Sequence, residues 1–145
     1  MIEMIPFTRF GSLSNSYMAT ADIANVQQMF FYYPEFSYTS LELAEELKGI
    51  MTLGELFTIA EVFSQPAFNY TGSILVVSGD KDFVVCGGNC YQSVNGSANL
   101  LEPARMLFPA ASKFSTYIPA RVGHAINAHF GAPDTYRVIE EWIGS

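Results

Sequence analysis

Residues Ser73 to Cys90, SILVVSGDKDFVVCGGNC, bring a strand pattern, an acidic turn and both cysteines of the chain into one short stretch. Ile74, Leu75, Val76 and Val77 form an unbroken β-prone run, the pattern of a strand covered on both faces. A buried helical turn would also be apolar. Gly72 and Ser73 before the run and Gly79 after it favour the strand, because they punctuate it where a helix would continue.

A chain of 145 residues with a 50% hydrophobic share can build one domain with a sizeable core. Seven basic against fourteen acidic residues give a net charge of −7 and no basic stripe, which disfavours nucleic acid or an anionic membrane as partner. No apolar run reaches the length that a bilayer requires, so no membrane span is expected. Residues 1–20 also lack the basic start, apolar centre and small-residue cleavage site of a signal peptide.

Cys86 and Cys90 are separated only by Gly87, Gly88 and Asn89, so a short flexible loop can bring them together. A disulfide is the expected state. Two unpaired neighbouring thiols are the alternative, and a metal pair is a third reading, weak because no histidine or further cysteine lies nearby. A bridge favours an oxidising compartment, hence a secreted or extracellular location. Two glycosylation triplets, Asn69-Tyr70-Thr71 and Asn95-Gly96-Ser97, point the same way.

Upstream of this stretch the pattern is helical. After a Gly- and Ser-rich lead-in, Ile23, Val26 and Phe30 repeat at helical spacing up to Pro34. Thr39 and Glu42 have capping-box spacing for a second helix that Gly49 ends. Thr52 and Glu55 have it for a third, whose Leu53, Leu56, Phe57, Ala60 and Phe63 form an apolar stripe expected to pack. Downstream, residues 103–108 read as a short helix, 114–118 as a second strand, and 133–143 as a terminal helix. Two strands joined by a long crossover make one parallel unit of an α/β sheet.

In such a sheet the loops after both strands open on one edge, where ligands gather. Asp82 lies beyond the first strand and His124 beyond the second. A carboxylate there can orient one imidazole nitrogen and leave the other to take and return a proton. Each residue has a plainer reading: Asp82 as closing an Asx-turn or capping backbone groups in the loop, His124 as a hydrogen-bonded loop residue. Asp80 competes with Asp82 for the acid position, and His129 reads as a packing or capping residue.

The runs LVVSGDKD, FVVCGGNC and YIPARVGH, followed by a helix ending in RVIEEWI, resemble the carboxyl-terminal part of the α/β-hydrolase superfamily, most of all secreted fungal hydrolases with a helical cap. The resemblance implies an α/β fold: the carboxyl-terminal portion of a parallel hydrolase sheet over 66–145, preceded by a cap-like helical segment and return to the core over 1–65. It also implies that Asp82, in a Gly-x-x-Asp turn, is the triad acid, and His124, in a Gly-His pair, the triad histidine. By the same resemblance Phe30, Phe31, Tyr32 or Tyr33 would lie near an acyl or aromatic substrate pocket.

The family's Gly-x-Ser-x-Gly nucleophile elbow is absent from the sequence, as is the loop that would form an oxyanion hole. The expectation is therefore a fragment of a serine esterase, lipase or peptidase-like hydrolase that supplies acid and histidine and is inactive alone. Its expected partners are a small-molecule ester or peptide-like substrate in the complete enzyme and a missing amino-terminal half or second chain. No metal or organic cofactor is implied. The alternative is a nonenzymatic binding or interaction module on an eroded hydrolase scaffold.

Overall fold

Capping residues and apolar spacing set the helices of the first half. The structure is a computed structural model that describes residues 10–145; the first part of the expected lead-in, residues 1–9, lies outside the described residues. Helix α1 (Ile23–Phe30) starts where the Asp22 carboxylate accepts from the Asn25 N–H at 2.9 Å. Helix α2 (Tyr38–Leu47) is capped by Ser37, whose hydroxyl accepts from the Ser40 N–H at 3.1 Å, and not by Thr39. The spacing of Thr39 and Glu42 suits a capping box, but the chain turns two residues earlier.

Helix α3 (Leu53–Phe63) does use its capping box. The Thr52 hydroxyl accepts from the Glu55 N–H at 3.0 Å while the Glu55 carboxylate accepts from the Thr52 N–H at 2.7 Å. These bonds hold the Glu55 carboxyl below its ordinary range, the backbone donor contributing most. Its apolar stripe does not pack as expected: every described side chain of α3 is exposed, Phe57 to 78%.

Strand β1 (Tyr17–Met18) pairs antiparallel with β2 (Met51–Thr52), a ladder of two residue pairs that the sequence pattern does not announce. Strands β3 (Ser73–Val77) and β4 (Lys113–Tyr117) pair in parallel, with Ser73 opposite Lys113 and Val77 opposite Tyr117. The crossover between them contains the one-turn helix α4 (Phe83–Cys86) and a 3-10 helix at Glu102–Leu107. A second 3-10 turn, Ile126–Ala128, precedes helix α5 (Ala132–Ile143).

Two apolar clusters are buried. Val26, Phe31, Phe36 and Leu41 close α1 against α2, with Ala125 and Ala128 packed on them from the segment after β4. Cys86, Cys90 and Leu101 fix the crossover to the sheet through Val76 and Ile118.

This architecture overturns the expected fold class and the resemblance behind it. A hydrolase core requires one large continuous parallel sheet. Among the described residues the strands lie in two separate two-stranded sheets, one antiparallel and one parallel. β1 and β2 pair with each other instead of extending β3–β4, so the chain is a small mixed α/β domain and not the end of a hydrolase sheet. The likeness lay in two turns and their order, and short turn sequences do not determine how strands assemble.

Candidate functional site

Parallel pairing of β3 with β4 continues as hydrogen bonds between the loops that follow. Ser78 donates to the Tyr117 carbonyl at 3.3 Å, Asp80 to Pro119 at 3.0 Å and Lys81 to Val122 at 2.9 Å. The Asp80 carboxylate accepts from the Val122 N–H at 3.1 Å. This closeness depends on Gly79: a Cβ built there would stand 2.1 Å from the Val122 carbonyl oxygen and 2.6 Å from that of Gly123. Asp80 thus staples the two loops together, and Asp82 is left to reach His124.

Asp82 is only 2% exposed, and its carboxylate is shared among three partners. Oδ1 accepts from the Val85 N–H at 2.8 Å, capping α4. Oδ2 accepts from the Ser78 hydroxyl at 2.7 Å and lies 2.9 Å from His124 Nδ1. Asp82 therefore caps backbone through one oxygen and contacts the His124 ring through the other. A carboxylate only accepts, so the pairing assigns a proton to Nδ1 and leaves Nε2 of neutral His124 as the base. The His124 side chain is 38% exposed, open to a reactant, with the Phe30 ring at 5.7 Å between centroids.

The other histidine holds the loop that carries the first. His129 is buried against Phe31 and Phe36. Its Nε2 accepts from the Tyr32 N–H at 3.0 Å and the Gly123 N–H at 3.1 Å, while Nδ1 donates to the Ala125 carbonyl at 2.8 Å. Gly123 is pressed so closely on α1 that a Cβ would meet the Phe30 carbonyl oxygen at 2.8 Å. Burial pushes the His129 pKa down from its ordinary value, against smaller upward pulls from the Ala125 carbonyl and Glu35. A protonated ring would lose both acceptor bonds.

A nucleophile is not assembled with this pair. Ser78 is the nearest candidate by sequence, but its hydroxyl bonds Asp82 on the acid side and not Nε2 of His124. Among the described residues Nε2 has no hydrogen-bond partner and no triad geometry is present. No group of three metal-ligating side chains occurs among them either, nor a helix long and apolar enough to cross a membrane. Cys86 and Cys90 form a disulfide that closes the loop after α4, and Asn69 and Asn95 are exposed.

Sequence reasoning missed the roles of Ser78 and Asp80, whereas His129 is the packing residue expected of it, with backbone partners that needed a signal of their own. For Asp80 the Gly-x-x-Asp turn was the available signal, since it places a second carboxylate two positions before Asp82, within reach of the neighbouring loop. For His129 there was none, because its partners are backbone groups, one of them 97 positions away. Compared with protein-family models, with curated proteins and with solved structures, the chain shows no match.

Proposed function

We propose that Asp82 and His124 are the acid and base of a hydrolytic proton relay, serving a serine nucleophile that lies outside the described residues. The observation that carries this is the 2.9 Å contact between a buried carboxylate and Nδ1 of a histidine whose side chain is 38% exposed. Asp82 would orient the ring and stabilise the imidazolium. Nε2 would accept the serine proton and pass it to the leaving group, and water would resolve the acyl intermediate. Without that serine the dyad can offer a carbonyl only its own imidazole, a weak nucleophile. The chain alone should therefore cleave p-nitrophenyl esters no faster than free imidazole.

The test joins this chain to whatever polypeptide adjoins it in its reading frame, or to a copurifying chain, and assays ester hydrolysis. His124→Ala should reduce kcat by about four to six orders of magnitude, as for loss of a relay histidine elsewhere. Turnover retained in that variant would sink the relay. A second reading, a nonenzymatic interaction module, draws on the exposed apolar face of α3. It takes over if the joined protein hydrolyses nothing that depends on His124.

A further inference from the structure

Beside the dyad lies a half-open cavity of about 710 Å³ lined by α1, α2 and the turn after it, the β1–β2 ladder, Leu56 of α3, Phe83 of α4 and the segment after β4. Only four of its nineteen lining residues are polar, so the ligand part that fills it is carbon-rich. Met18, Met29 and Met51 supply adaptable walls that fit a flexible chain better than a rigid ring. Lys48 is the one charged group of the lining, and its ammonium already donates to the Thr20 carbonyl and the Glu45 carboxylate. Among the described residues no net positive charge faces the cavity to hold an anion, and the chain's own charge of −7 opposes one.

Three lining residues connect the cavity to the relay. Phe30 contacts the His124 ring. Ala125 follows His124 in the chain and donates to the Phe30 carbonyl at 2.8 Å. Phe83 follows Asp82 at the start of α4. These three residues set one wall of the cavity beside the imidazole.

We propose that the cavity binds the uncharged alkyl or acyl tail of a small amphipathic molecule, a medium-chain ester, and presents its carbonyl end to His124. This substrate class rests on the relay reading, whereas tail binding does not require it. The structure thereby gives a specificity to chemistry that the dyad alone leaves open: neutral aliphatic esters over charged or short ones.

The test uses the full chain with N-phenyl-1-naphthylamine as a neutral fluorescent probe and methyl decanoate as competitor. Saturable probe binding should be displaced by methyl decanoate, with decanoate and methyl acetate at least about tenfold weaker. In the same chain with labelled methionine methyls, methyl decanoate should shift Met29 and Met51 but not the distant, 73% exposed Met106. Met29→Asp and Leu56→Asp, at partly exposed lining positions, should each weaken binding about tenfold or more with unfolding midpoints unchanged. His124→Ala should keep probe affinity within about twofold.

Absence of saturable binding, or methionine shifts confined to Met106, overturns the cavity assignment, and this readout stands even if both aspartate variants misfold. Binding that survives both folded variants also overturns it. Failure of the relay would show instead as His124-independent hydrolysis with tail binding intact.

Discussion

His129 shows how much a buried imidazole can hold without doing chemistry. Its Nε2 accepts two backbone N–H groups, one from the segment after α1 and one from the His124 loop, which only a neutral ring can do. Its pKa is pushed down in the folded chain, so near pH 6.5 and just below the unfolded chain takes up a proton that the folded one refuses. The unfolded state then binds more protons, and stability falls as pH is lowered through that window; above it the contribution is fully present. Urea denaturation between pH 8 and pH 5 should show this fall, and His129→Gln should flatten it while lowering stability throughout, by about 1 to 3 kcal/mol at pH 8. An unchanged slope in the variant would mean that other groups carry the pH dependence.

Strands β3 and β4 position the dyad only because their following loops stay in contact at Gly79. Gly79→Ala forces a Cβ against the backbone of Val122 and Gly123, which cannot rotate away as a side chain could. It should cost more than about 2 kcal/mol in chemical denaturation and separate Asp82 from His124, seen as loss of the Nδ1-protonated tautomer in imidazole nitrogen spectra. Gly54→Ala makes the opposite case: in α3 an added Cβ finds only an ordinary contact at 3.7 Å, and stability should rise by about 0.5 to 1 kcal/mol. Equal effects at the two positions would rule out the close approach at Gly79 as what sets the dyad.

The same elements mark where the sequence was readable. The run at Ile74–Val77, the capping box of α3 and the terminal helix are signalled by residues within one or two turns, and they form close to where those signals stand. Asp82 and His124 were legible as a pair because two strand ends fix two loops. What the letters did not show is pairing between distant segments. Tyr17–Met18 and Met51–Thr52 are too short to have a period, yet their pairing with each other decides that there are two sheets. The hydrolase likeness failed at that point, since it extrapolated from turns to a sheet.

Across the molecule, burial is uneven, and stability should follow it. The two clusters around Leu41 and Cys90 tie α1, α2 and the β3–β4 crossover together, whereas α3 has no buried side chain among those described. A helix of 11 residues that relies on its capping box and the neighbouring β2 has little tertiary packing to hold it, and isolated helices of that length are marginal in water. Native-state hydrogen exchange should therefore show α3 amides opening far more readily than those of β3 and β4, by more than about 2 kcal/mol in opening free energy. The difference should persist at low protein concentration. If α3 instead exchanges as slowly as the strands, its Phe57 and Phe63 faces are covered in solution by something besides the described residues, and a concentration dependence of that protection would favour the interaction reading over the relay.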